Sequence, residues 1–424
     1  MALVGNDSKN LHFDVFYALF GIIATVGDGI GTLKSCSLVC KSFHLICKEH
    51  IFSNITLFPT RSPEQPMLQL SEFESMLRET EIGRIAKRLT IRFFAWTFYD
   101  RHLPRILDQL VNIQSLDLSP QKPGIVWGEI LLDTRLALQR VIQSPMLTRL
   151  SIRMVTLPIS SILMHSRNLI ELQLERTLPS FSNDDFSSVL IEHPDFTPPQ
   201  INILRTGWDA SGAAKVLLLT KLPNGLPVFE STHVSRLSVQ VGRNPDDRAL
   251  LTLALRTAIS LNTLRCDVLY NQSLSGTFKE IHPSSRRTLH HLELLIEPAW
   301  GNVEPDILHM NELCDELKFF YVQNELISLK IEIPILTCPR NLNFTSREVW
   351  DTLDSVLGSG HFPRLQLVEI QVTLASHLIS RDISKLRNKL LTTAKESFQS
   401  LKSYPLIQFN FSVKVEHPDK IKIS

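Results

Sequence analysis

Leu261-Asn262-Thr263-Leu264-Arg265-Cys266, Leu289-His290-His291-Leu292-Glu293-Leu294 and Leu326-Ile327-Ser328-Leu329-Lys330-Ile331 are three copies of one six-residue pattern, apolar-x-x-apolar-x-apolar. The last two apolar residues of each copy flank a polar one. That alternation fits a half-buried strand, because successive side chains of a strand point to opposite faces. The first apolar residue sits three positions earlier, on the bend entering the strand. Working outward, the pattern returns at Ala86/Leu89/Ile91, Ile113/Leu116/Leu118, Leu147/Leu150/Ile152, Leu169/Leu172/Leu174 and Val234/Leu237/Val239. It closes with Leu365/Val368/Ile370 and Leu406/Phe409/Phe411, and a weak copy, Ile201/Leu204/Thr206, fills the one large gap. Helix-like stretches such as Ala249 to Ile259 and Ser346 to Leu357 lie between copies.

Strand-helix alternation alone would suit either an ordinary doubly wound α/β domain or a stacked array. Eleven copies of one hexad favour the array. The pattern resembles a leucine-rich repeat, in which each strand lines a horseshoe and buries its apolar side only against neighbours. The spacing is irregular, about 22 residues from Leu147 to Leu169 and about 41 from Leu365 to Leu406. The Asn or Cys that a regular repeat places after its strand is mostly missing. The expectation for residues 67–424 is therefore an irregular α/β solenoid, with a parallel sheet inside, helices outside and excursions at places such as residues 178–200.

The length, 424 residues, exceeds one ordinary hydrophobic core. Hydrophobic residues make up 43% and charged residues 21%, as in folded globular chains. Basic and acidic residues, 44 against 43, nearly cancel. A chain that grips phosphates along a nucleic acid carries a basic excess or stripe, so no nucleic-acid partner is expected. Six cysteines are too few for a disulfide scaffold and suit a reducing compartment, cytoplasmic or nuclear.

The apolar run Val15 to Val26 has the length of a signal-peptide core, but Asp7 and Asp14 precede it and no convincing cleavage signal follows. It is also too short for a bilayer, which takes about 20 residues. A buried helix starting near Asp14 is the better reading, ended by Gly27-Asp28-Gly29-Ile30-Gly31. Thr32 can then cap a second helical stretch, in which Leu33, Cys36, Val39, Cys40, Phe43, Ile46 and Cys47 keep a three-to-four-residue rhythm to His50. So small a unit carries more apolar surface than it can bury alone, and the surplus needs either a partner or the rest of the chain.

Leu11-His12-Phe13-Asp14-Val15-Phe16 with Leu19-Phe20 and Ile23 resembles the opening helix of an F-box. Leu33 to Phe43, with Val39-Cys40-Lys41 and an aromatic following, resembles the family's second signature, and Ile51 to Leu57 is similar to the exit of many fungal F-box proteins. His12 stands where proline is usual and Phe43 where tryptophan is commoner. The resemblance implies a three-helix adaptor-binding module over residues 11–58 and a short linker at 59–66, where Pro59, Pro63 and Pro66 cluster. It implies docking on a Skp-type adaptor, and through it on a cullin, by Leu11, Val15, Phe16, Leu19, Leu33, Val39, Cys40 and Phe43, although some of these could be the module's own core. The function it implies is substrate recognition in an SCF-type ubiquitin ligase, with an unknown protein substrate on the repeats. A scaffold without a ligase role is the alternative.

No motif speaks for chemistry in the chain itself. Cys36, Cys40 and His44 would span about 12 Å of one helix at 1.5 Å per residue, too far for three zinc ligands. The glycines at 27, 29 and 31 lack the Gly-Lys-Ser/Thr of a phosphate loop. His290 and His291 are expected on opposite faces of a strand, and the pairs Asp315-Glu316 and Asp184-Asp185 on solvated faces or helix starts. Cys314 and Cys338 have no recognisable base beside them. The expectation is a non-enzymatic adaptor with no catalytic residue, cofactor, metal or membrane span.

Overall fold

A strand whose side chains alternate in polarity needs cover on one face only, and its backbone must pair sideways. Each hexad meets both needs. The computed structural model describes residues 13–26, 28–57, 65–92, 98–120, 124–180, 197–222, 225–269, 272–297, 306–321, 324–335, 347–375 and 380–416. Its strands are β1 (Asn54–Leu57), β2 (Arg88–Ile91), β3 (Ser115–Leu118), β4 (Ile125–Val126), β5 (Arg149–Arg153), β6 (Val155–Leu157), β7 (Glu171–Glu175) and β8 (Leu178–Pro179). They continue with β9 (Ile203–Thr206), β10 (Arg236–Val241), β11 (Thr263–Val268), β12 (His291–Ile296), β13 (Ser328–Ile335), β14 (Leu367–Ala375) and β15 (Gln408–Glu416). The fold is α/β, a large parallel sheet flanked by helices.

The chain divides into two compact units, residues 1–122 with 128–149, and residues 123–127 with 150–424. In the first unit β1, β2 and β3 pair in parallel, setting Ile55 beside Leu89 and Leu89 beside Leu116. The helical module therefore shares its unit with three strands, and the division falls at 149/150, not at the expected 59–66 linker. Residues 59–64 of that linker lie outside the described residues, and a helix occupies Gln65–Glu79.

In the second unit β5, β7, β9, β10, β11, β12, β13, β14 and β15 follow one another across the sheet in chain order. From β7 onward Leu172, Leu204, Leu237, Leu264, Leu292, Leu329, Val368 and Phe409 stand side by side in register. From Leu172 to Val368 each is at most 1% exposed, so this column is core. A slip of one residue would turn the whole column to the other face, which is why the hexad pins the register. Most of the expected excursion at 178–200 lies outside the described residues; Leu178 and Pro179 form β8, the edge of a small parallel sheet with β4 and β6. Leu406 is the one first-position hexad residue left exposed, at 72%, and it leads into the last described strand.

The crossover helices start where their sequence lets them. Pro245–Thr257 has Pro245 in its first turn and an Asn244 cap whose Oδ1 accepts from Asp246 N at 3.0 Å. Asp246 and Asp247 complement the helix dipole, and Leu250, Leu251, Ala254 and Leu255 form the buried face. Arg347–Leu357 is the helix expected from Ser346 to Leu357. No helix among the described residues is long and apolar enough to cross a membrane.

Glu316 corrects the expectation of a solvated acidic pair. It is 2% exposed and accepts from the Gly276 and Phe278 backbone N–H groups, the latter at 2.6 Å, pinning the segment before Phe278 to the Asp306–Lys318 helix. Burial pushes its pKa up against these donors. Asp315 is the exposed member, 2.7 Å from Lys318 Nζ. Asp184 and Asp185 lie outside the described residues.

Two stability results follow from buried polar groups. Thr206 occupies an apolar hexad position between Leu174 and Val239, is 5% exposed, and its Oγ1 has no hydrogen-bond partner. Thr206→Val keeps the shape and removes the unpaired hydroxyl, so it is expected to stabilise the second unit by about 1 kcal/mol, read as a Tm rise of a few degrees. In the first unit Glu74 is 3% exposed, with Oε2 at 2.5 Å from His102 Nδ1, the Arg78 guanidinium on Oε1, and Arg105 at 3.9 Å. Burial pushes its pKa up, but these partners prevail and hold the carboxyl below its ordinary value. Its stabilisation is thus present above the unfolded carboxylate pKa of about 4.3 and is lost as pH falls through the lower folded value. Glu74→Gln is expected to cost about 1–3 kcal/mol at neutral pH and to flatten the acid limb of a stability-against-pH curve.

Candidate functional site

Two surfaces stand out, one in each unit. The first belongs to three helices: α1 (Phe13–Thr25), α2 (Gly29–Cys36) and α3 (Lys41–Phe52). Gly29 sits inside the first turn of α2, where a Cβ would collide with the Ile23 carbonyl oxygen. Gly29 therefore permits a close approach of two helices and does more than end the first. Thr32 lies within α2, and Asp28 occupies the cap position without a side-chain bond. The single stretch expected to His50 breaks at Ser37-Leu38-Val39. Cys40 then caps α3, its Sγ accepting from Phe43 N at 3.5 Å.

The three helices enclose a core of Phe20, Leu33, Ile46 and Cys47, with Phe16, Ile23, Ala24, Cys36, Phe43 and Ile51 packed against it. The Phe43 ring lies 4.9 Å from Phe16 and 5.1 Å from Phe20, the latter edge-on. Burial raises the Cys47 pKa, as expected of a thiol used for packing. Among the described residues no group of three or more His, Cys, Asp or Glu is placed to hold a metal ion.

Satisfying this core leaves one side of α1 bare. Val15, Leu19, Ile22 and Val26 are 52%, 46%, 64% and 63% exposed and recur at the spacing of one helical stripe. The run read as a buried helix is thus covered on one side only. Leu38, Val39 and Leu45 are exposed as well.

Of the residues expected to meet a partner, Val15, Leu19, Val39 and Cys40 are exposed, and Phe16 and Phe43 are half-buried at the edge of the core. Leu33 has no exposed surface and belongs to the module's own core, which is a correction. Leu11, with His12, lies outside the described residues. Ile22, Val26 and Leu38, outside that expectation, are exposed too, and the steps 15, 19, 22, 26 carry the signal in the sequence.

The second surface is the sheet face opposite the leucine column in the second unit. Register sets Arg265, Glu293, Lys330 and Glu369 in one row across β11 to β14, charges alternating in sign. Arg265 reaches Asp267 at 2.9 Å and Glu293 at 3.5 Å, and Lys330 reaches Glu332 at 2.7 Å. Burial works against the Arg265 cation, but Asp267, Glu332 and Glu293 outweigh it and its pKa rises. The Glu332 hydrogen bond does the same for Lys330. Within the row the signs balance, and Asp267 and Glu332 beside it pair with the two cations, so this stretch offers no excess of positive charge.

Four of the reactive groups weighed in the sequence are buried or occupied. His291 Nδ1 lies 2.7 Å from Ser328 Oγ, and His290 Nδ1 lies 2.6 Å from Asn262 Nδ2, with only His291 in β12. The Cys314 thiol is pushed up to about 12 by burial, and burial raises Cys266 as well. Cys338 lies outside the described residues. Compared with known proteins, the chain matches no protein-family model and no curated sequence.

Proposed function

We propose that this chain recruits a protein substrate to an SCF-type cullin-RING ubiquitin ligase. The helical module, read as F-box-like, docks on a Skp-type adaptor. The α/β region behind it, read as an irregular leucine-rich-repeat solenoid, holds the substrate. The observation that carries this is the stripe of Val15, Leu19, Ile22 and Val26, exposed, as are Leu38 and Val39, on a module that already has a core of its own. Contiguous exposed apolar surface marks an interaction site. A sheet row with no excess of positive charge suits a polypeptide better than a polyanion.

Function then rests on proximity. Holding the substrate near the charged transfer enzyme raises its effective concentration, with no catalytic side chain required here. The chain would act in the cytoplasm or nucleus. Affinity purification of the full chain under proteasome inhibition is expected to recover the adaptor, a cullin and the substrate together; recovery without any adaptor overturns the proposal.

His12, standing where the resembled family has proline, favours a second reading, a scaffold without ubiquitin transfer. Proline preorganises a helix start, and its loss weakens docking. Substrate turnover unchanged when Val15 and Val39 are both replaced by aspartate would select this reading.

A further inference from the structure

A cleft of about 300 Å³ opens in the second unit at the carboxyl ends of β9, β10 and β11. Several of its polar groups are already committed. Asp247 accepts from the Ser211 hydroxyl at 2.5 Å and from Gly242 N at 2.7 Å, and Asn244 caps the following helix. Gln240 is not committed. It is 5% exposed, it lines the cleft, and neither its Oε1 nor its Nε2 has a hydrogen-bond partner. Each unpaired buried amide atom costs about 1–3 kcal/mol.

The surroundings restrict what can satisfy it. A Cβ at Gly207 would stand 3.1 Å from Glu175 Cγ and 3.8 Å from Gln240 Oε1, so Glu175 closes that side of the amide and an incoming group approaches from the Trp208 and Leu269 side. The terminal torsion of glutamine is broad, so the amide can swing towards an incoming group at little cost. Trp208, with the Arg176 guanidinium 5.8 Å from its ring centre, and Leu269 offer aromatic and aliphatic wall. A single group that satisfies both atoms presents one donor and one acceptor on the same edge. A carboxylate has no donor, and ammonium and guanidinium groups have no acceptor. A trans peptide bond points its N–H and C=O in opposite directions. A primary carboxamide meets the requirement, and its short aliphatic stem can lie along Trp208 and Leu269.

We infer that this cleft takes the carboxamide side chain of a glutamine or asparagine presented by a polypeptide. The polypeptide is the recruited substrate, a part that rests on the function proposed above; the carboxamide fit does not depend on it.

Saturation-transfer NMR on the full chain tests the fit, with N-acetyl-glutamine methylamide as probe and N-acetyl-glutamate methylamide as its carboxylate counterpart. The glutamine probe is expected to bind at least tenfold more tightly than the glutamate probe, about 1.4 kcal/mol. Gln240→Leu is expected to abolish that preference, to leave Tm unchanged or raised, and to leave capture of the Skp-type adaptor intact. Trp208→Ala, whose site is only half-buried, should weaken the glutamine probe at least tenfold by a separate route. No transfer from the glutamine probe at millimolar concentration, meaning a cleft filled by water alone, overturns the inference. Equal binding of the two probes, or full binding by the folded Gln240→Leu chain, overturns it too. Failure to capture the adaptor with the glutamine preference intact would instead count against the ligase reading.

Discussion

Leu292→Asp is expected to unfold the second unit, while Glu293→Leu, one residue along the same strand, leaves its stability within about 1 kcal/mol. Leu292 has no exposed surface and stands in register between Leu264 and Leu329. A carboxylate there has no partner and no water. It either stays ionised at a cost near the whole stability of a domain or takes up a proton and still loses the packing. A loss above about 4 kcal/mol is expected in either case. Glu293 lies on the opposite face, 3.5 Å from Arg265, with its side chain 38% exposed. Removing it gives up a partly screened pair worth a fraction of a kcal/mol. Urea unfolding followed by circular dichroism separates the two variants, and equal losses would contradict the assignment of faces.

The double variant Val15→Asp/Val39→Asp is expected to weaken binding to a purified Skp-type adaptor by more than about 100-fold while barely moving Tm. Both residues are more than half exposed, at 52% and 68%, so the free module tolerates charge at either position. In the complex each carboxylate would be stripped of water against an apolar surface. Two such penalties of roughly 1.5 kcal/mol each already exceed a factor of 100. Leu33→Asp provides the contrast. It strikes the module's core and should lose binding and fold together, with Tm and titration calorimetry as the two readings.

The sheet was legible because the hexad is a register code. Ten of the eleven leading hexad positions are buried, and every fourth position from Leu172 to Phe409 falls in one column. The hexad occurs once more, in Phe52-Ser53-Asn54-Ile55-Thr56-Leu57, which leads into β1 and pairs with β2. Long-range contacts left weaker traces. Gly29 reads as a helix breaker because the close approach of Ile23 that requires it is invisible in one dimension. Glu316 reads as solvated because the backbone groups that hold it lie 38 and 40 residues away. The apolar residues of α1 to α3 could be counted, but which of them close the core depends on helix crossing. Leu33 went inward and Leu19 outward for that reason. The Gln240 cleft was not legible at all, since it needs three strand ends side by side.

The most direct test of the proposed docking is hydrogen exchange on the full chain, with and without a purified Skp-type adaptor. The expected result is slowed exchange from Val15 through the end of α1 to Val26 and in the segment from Leu38 to Leu45, with β11 to β14 unchanged. Exchange unaltered throughout the helical module, or slowed instead along the charged row from Arg265 to Glu369, would contradict it.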